Sequence, residues 1–186
     1  MSKKTIRIVW VLIILISAIY FFFNQHILDE NSIKEFISKY KTYGLGILLL
    51  LHVIRGFLLF PAMPLIVMGG LLYPSSSFLV LIISLVGIAI SSSMIYFLSE
   101  ELNFKDSFNQ DSKIYIKIKT LLSSKFGFLY ILVWAFIPVV PTDLVSFIAG
   151  TMTINYWKYI AALMLGALIL CVFTIYGSGF LVLEYF

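Results

Sequence analysis

Long apolar runs, separated by two short polar stretches, set the pattern of this chain. Residues 8–23 form an unbroken apolar run behind a basic flank of Lys3, Lys4 and Arg7. The run is long for a signal peptide and no Ala-x-Ala-like site precedes Asn24, so an uncleaved N-terminal transmembrane helix is predicted. Residues 24–43 are polar, with Ile33, Phe36, Ile37 and Tyr40 at helical spacing against Lys34, Glu35, Lys39 and Lys41. That pattern fits a short helix lying on the membrane, or equally an ordinary solvated connecting helix. Residues 78–98 and 159–176 are long enough to span, and each has a small-residue face: Gly87, Ser91, Ser92 and Ser93 in the first, Ala162 and Gly166 in the second. Such faces let helices approach closely in lipid, so packing is the expected role of these serines. Residues 99–125 are polar again and predict an amphipathic helix resting on a surface.

Prolines interrupt the two remaining apolar segments. Residues 44–60 meet Pro61 and Pro64, run on through Gly69 and Gly70, and stop at Pro74. Residues 126–137 meet Pro138 and Pro141, then run on through Gly150. A proline cannot donate a backbone hydrogen bond and disfavours helix at the residue before it. The nine residues after Pro64 cover only about 13 Å as helix, less than half of a ~30 Å hydrocarbon core. Such a piece returns to the side it came from. Broken backbone survives at membrane depth only where protein or a water-filled cavity surrounds it. Two re-entrant hairpins are therefore expected, with Pro61, Pro64, Gly69 and Gly70 marking the first, and Pro138, Pro141 and Gly150 the second.

The two halves repeat this order. Pro61 and Pro64 recur as Pro138 and Pro141, Gly70 as Gly150, Gly87 as Gly166, and Ile95-Tyr96 as Ile175-Tyr176, at offsets of 77 to 80. The predicted fold is an all-α polytopic membrane protein: an inverted repeat of two hairpins, each followed by a spanning helix, plus the N-terminal transmembrane helix. Residues 1–43 form the N-terminal unit and residues 44–186 the membrane domain, with repeat halves at about 44–98 and 126–180.

Composition agrees. The chain has 186 residues, 61% of them hydrophobic and 12% charged, with a mean hydropathy of +1.05. A soluble domain would carry about twice that charge. The net charge of +4 informs through its distribution. With only 78–98 and 159–176 crossing after the first helix, Lys3, Lys4, Arg7, Lys105, Lys113, Lys117, Lys119, Lys125 and Lys158 share one side. Lys34, Lys39 and Lys41 lie on the other. The richer side is expected in the cytoplasm, with the N-terminus. Abundant Lys, Ile, Phe and Tyr suit a bacterial inner membrane. No basic tract suits nucleic acid. Cys171, the single cysteine, excludes an intramolecular disulfide and reads as an inert buried thiol. The spacing of His26, His52 and Cys171 suits no metal or haem, and no cofactor is expected.

Three residues could carry chemistry. Asp143 follows the second proline pair. Either Thr142 or Asp143 caps the helix that starts there, or Asp143 faces a cavity and binds a proton or a cation. Arg55 lies deep in an apolar run, where it either snorkels from a helix end or grips a phosphate. His52, one turn away, is a packing residue or a titrating one. Enzyme patterns fail: Glu100-Glu101 lacks the partners of a membrane protease, Gly177-Ser178-Gly179 has no histidine to activate it, and no P-loop occurs. No enzyme is expected.

The stretch from Gly127-Phe128 through Ile137-Pro138-Val139-Val140-Pro141-Thr142-Asp143-Leu144-Val145-Ser146-Phe147-Ile148-Ala149-Gly150 to Gly166 resembles the VTT-domain membrane proteins, also called SNARE-associated Golgi or DedA-like proteins. Pro61, Pro64 and Gly69-Gly70 fit the same family's first segment. The resemblance implies paired re-entrant hairpins and movement of lipids or lipid-linked phosphates across the plasma membrane, by transport or scrambling, with proton coupling an option. Its partners would be membrane lipids, and homo-oligomers stay open. Two positions depart from the family: a usual arginine is Ala135 here, and a usual basic residue falls among Glu100 and Glu101. Two alternatives are a small-solute or ion transporter on the same scaffold, and a non-transporting membrane assembly or homeostasis protein.

Overall fold

The computed structural model describes residues 3–23, 43–138 and 141–185. The expected surface helix at 24–43 and the residues Val139 and Val140 inside the second proline pair lie outside the described residues, but for Tyr43. Described residues form eight α-helices: α1 (Lys3–Phe23), α2 (Gly44–Phe57), α3 (Met63–Leu72), α4 (Ser77–Glu101), α5 (Lys113–Ser123), α6 (Gly127–Phe136), α7 (Thr142–Thr151) and α8 (Tyr156–Tyr185). Among them two stretches are long and apolar enough to cross a bilayer, Pro74–Glu101 and Tyr156–Gly177. The bent pair α5 and α6, at 99° to each other, is a third candidate.

Helix α4 shows how the sequence organises the bundle. Its exposed face carries Phe78, Ile82, Val86, Ile90, Met94 and Phe97, while Ser84, Gly87, Ser91, Ser92 and Ser99 are buried. The four-residue rhythm of large apolar side chains points outward, and the small and hydroxylated residues point inward. This inside-out arrangement belongs to a helix whose solvent is lipid. Helix α2 packs along α4 and α3 along α8; in the second half α6 packs along α8 and α7 along α4. Each long helix therefore receives the first leg of its own half and the second leg of the other.

Breaks fall at the prolines, not at the glycines. Helix α2 ends at Phe57 and α3 starts at Met63 with Pro64 in its first turn. Helix α6 ends at Phe136, and Pro141 precedes α7. Gly69 and Gly70 lie inside α3 and Gly150 is the last residue but one of α7; Gly69 and Gly150 serve close approach. A β-carbon on Gly69 would stand 2.8 Å from Val80 and 2.9 Å from Leu48, and one on Gly150 would collide with the Tyr96 carbonyl. Chain reversal uses side-chain-bearing residues. Leu59 (φ 53°) and Thr153 (φ 54°) are left-handed. Around them Phe60 N–H donates to Arg55 O (3.1 Å) and Ile154 N–H to Ala149 O (2.9 Å), the six-to-one bond of a Schellman turn. Gly177 does not end α8, which continues to Tyr185.

Ends of the elements gather in two places. Gly44, which opens α2, abuts the Tyr73 hydroxyl just beyond α3. At the other end of α4, Lys3 pairs with Glu101 (3.1 Å) and Arg7 donates to Asn103 O (3.3 Å). Nearby, the Tyr96 hydroxyl meets Ile154 O, and Lys158 donates to Ser124 O (2.6 Å), just before α6. Asn155 caps α8 through Lys158 N–H (3.0 Å) and Ser112 caps α5 through Tyr115 N–H (3.2 Å). Trp10 ties α1 to this assembly, donating to Phe57 O (3.1 Å) and packing on Phe104 and Phe147.

Candidate functional site

The tip of the first broken segment meets the tip of the second around one ion pair. Arg55 Nη1 lies 2.6 Å from Asp143 Oδ2, with the arginine side chain 6% exposed and the aspartate fully buried. Helix α2 does end close to Arg55, yet the side chain turns inward instead of snorkelling. Asp143 stands in the first turn of α7, where its charge suits the helix dipole, but its carboxylate reaches across to α2 and α4. Thr142 caps nothing; its hydroxyl is buried without a partner.

Arg55 also builds the turn that presents it. Its Nη1 donates to Phe60 O (2.8 Å), and its own carbonyl accepts from Leu58 N–H and Phe60 N–H. The guanidinium thus rests on a turn that its own residue closes. Nε points at His52 Nδ1 over a long 3.4 Å. His52 is fully buried, and its Cβ lies where a side chain on Gly87 would stand. His52 is therefore a packing residue that also orients the arginine.

Asp143 has two further partners that sequence reasoning assigned to packing alone. Ser91 Oγ (3.2 Å) and Ser92 Oγ (3.4 Å) both approach Oδ1. The adjacent Ser93 serves elsewhere, donating to Ala89 O and meeting the Tyr156 hydroxyl at 2.9 Å. Gly56 was also missed. A β-carbon there would collide with Ser91 and stand 3.2 Å from Asp143 Oδ1, so its bare backbone lets α2 close on the carboxylate. A serine doublet and an Arg-Gly pair were visible signals, but only the helix register joins them to Asp143.

Pairing is incomplete in a telling way. Arg55 Nη2, His52 Nε2 and the Thr142 hydroxyl are buried without hydrogen-bond partners. A buried donor left unsatisfied costs about 1–3 kcal/mol, more when charged. Arg55 Nη2 is the charged donor among these three.

The family model of the VTT domain matches residues 60–179, more than half of the chain. The chain belongs to the VTT-domain, DedA-like family. No curated protein and no solved structure shows a match to it. Asp143, Ser91 and Ser92 lie inside the VTT domain, whereas Arg55 and His52 stand just before its matched range. The carboxylate of the VTT domain is thus met by a cation from the leg that leads into it. Ala135, where the resemblance leads one to expect an arginine, is fully buried, and a β-carbon on Gly166 would stand 2.8 Å from it. This small-on-small contact lets α6 and α8 close together. The other departure sits at the loop end, where Lys3 of α1 supplies a cation to Glu101.

Proposed function

We propose that this VTT-domain protein is a transporter or scramblase, not an enzyme, that moves lipids or lipid-linked phosphates across the plasma membrane. The observation that carries the reading is the buried Arg55–Asp143 pair, which joins the two broken segments and leaves Arg55 Nη2 unpartnered. A guanidinium grips a phosphate through two parallel hydrogen bonds. A headgroup entering here would compete with Asp143 for Arg55. Ser91 and Ser92 would keep hydrogen bonds on the carboxylate while the arginine turned away, which limits the cost of opening a buried pair.

The membrane arrangement that fits is an inverted pair of re-entrant hairpins, α2–α3 and α6–α7, opening at opposite ends of α4. Support comes from the Gly44–Tyr73 contact at one end and from the Lys158–Ser124 and Tyr96–Ile154 contacts at the other. Paired broken helices in inverted repeats set substrate sites near the midplane. The second end also gathers Lys3, Arg7, Lys158 and the lysine-bearing α5, so it faces the cytoplasm by the positive-inside rule.

Reconstitution into liposomes tests the reading. The protein is expected to speed tracer-lipid flipping, and Arg55→Ala and Asp143→Asn to slow it at least tenfold. A single loss leaves a buried group unpaired, so a destabilised fold would give the same outcome. The double variant Arg55→Met/Asp143→Leu separates the two, since an apolar replacement of a buried pair is often tolerated. It is expected to fold and not to flip; flipping at the parent rate would make the pair a structural clasp.

A further inference from the structure

A second feature lies away from this pair, between α5 and α7. A cavity of about 240 Å³ is lined mainly by Tyr115, Ile118, Phe147, Ile148, Thr151 and Met152, and it is partly open. Its wall is almost wholly apolar, and such cavities stay dry and accept apolar guests. Asn109, Ser112 and Thr151 are its polar residues; Thr151 is 4% exposed and its Oγ1 has no hydrogen-bond partner. A helical threonine ordinarily bonds back to a carbonyl one turn earlier; this one does not, and it lines the cavity.

The rim is basic. Ile114 and Ile118 line the cavity one turn apart on α5, and Lys113 and Lys117 form the exposed stripe about 100° beside them. Helix α5 carries Lys113, Lys117 and Lys119 and no acidic residue; Asp111 is the acid just ahead of it. Ile114 and Ile116 are 73% and 51% exposed, and α5 meets the apolar α6 at 99°. A basic helix with exposed isoleucines, lying across an inserted one, belongs in the bilayer interface.

We propose that this cavity binds one acyl chain of an anionic phospholipid. The chain fills the apolar space, an ester carbonyl accepts from the Thr151 hydroxyl, and Lys113 and Lys117 hold the phosphate. The site requires that α5 lie at the membrane surface but not that the protein move lipid. Because Thr151 ends the helix that begins beside Asp143, a bound lipid would fasten α5 to the second hairpin.

The test uses the full chain in phosphatidylcholine vesicles containing a minority of phosphatidylglycerol. Analogues of each lipid carry a photoreactive group on one acyl chain, and labelled peptides are mapped by mass spectrometry. Labelling is expected within residues 108–118 and 147–152, several-fold stronger for the phosphatidylglycerol probe. Lys113→Gln/Lys117→Gln should bring the two probes to parity. Thr151→Val should lower labelling several-fold while Thr151→Ser keeps it, and Ile118→Trp should block it. If the tryptophan variant fails to fold, the exposed lysine pair carries the test alone. Arg55→Met/Asp143→Leu, which is expected to fold and not to flip under the proposed function, should leave this labelling intact. Equal labelling by both probes in the parent protein, or loss of labelling in that folded double variant, would overturn the proposal.

Discussion

At the scale of single residues, the polar centre depends on side chains that are absent as much as on those present. Gly56 admits Ser91 and Asp143 to contact distance, so any side chain there must separate α2 from α4. Gly56→Val is expected to cost about 1–3 kcal/mol, the usual penalty of overpacking, read as a lower unfolding midpoint in detergent. Leu59 makes the opposite case. It holds a left-handed backbone with φ 53°, which costs a side-chain-bearing residue roughly 1–2 kcal/mol. Leu59→Gly is expected to relieve part of that strain and raise the midpoint; a lower midpoint would mean that packing by the leucine side chain outweighs the strain. Arg55, His52 and Asp143 were legible in the sequence because a polar group in an apolar run stands out. Their mutual arrangement was not, since Arg55 and Asp143 lie 88 residues apart and no local pattern records which helix faces meet.

At the scale of elements, what the sequence revealed was punctuation. Prolines fixed where α2 and α6 stop, because a missing N–H and a restricted neighbour act within one turn. The glycines carry more than a stop signal, for a physical reason. In water a helix interior glycine is a weak point, but between membrane helices it is a contact surface. Gly69 is packed inside α3 and Gly150 in the last turn of α7, and Thr153 turns the chain. This exchange of roles makes Gly150→Ala a sharp probe. Its β-carbon would meet the Tyr96 carbonyl, which is backbone and cannot swing away. We expect α7 to shift along α4, with a loss of about 1–3 kcal/mol in stability. Gly46→Ala on α2, where a β-carbon meets nothing within 4 Å, should be neutral or slightly stabilising. Similar midpoints for the two variants would remove the close-approach account.

For the whole molecule, the proposed inverted arrangement has a consequence that can be measured across a membrane. Helix α2 starts beside the end of α3, and α6 starts beside Lys158 at the far end of α4. If both segments are re-entrant, the residue before α2 and the residue before α6 face opposite compartments. Were the first segment spanning instead, it would add one crossing to that of α4 between them, and the same pair of positions would face one compartment. Tyr43 and Lys125 mark the two places, and both are exposed. Cys171 is buried, so a single introduced cysteine should dominate labelling by a membrane-impermeant thiol reagent. In sealed right-side-out vesicles, Tyr43→Cys is expected to label before lysis and Lys125→Cys only after it. Inverted vesicles should reverse the pattern, because the proposed orientation sets the basic end with Lys3, Arg7 and Lys125 in the cytoplasm. Labelling of both positions from one side would dismantle the inverted pair while leaving the Arg55–Asp143 contact untouched. Swapped sides would keep the pair of hairpins and turn the whole protein over.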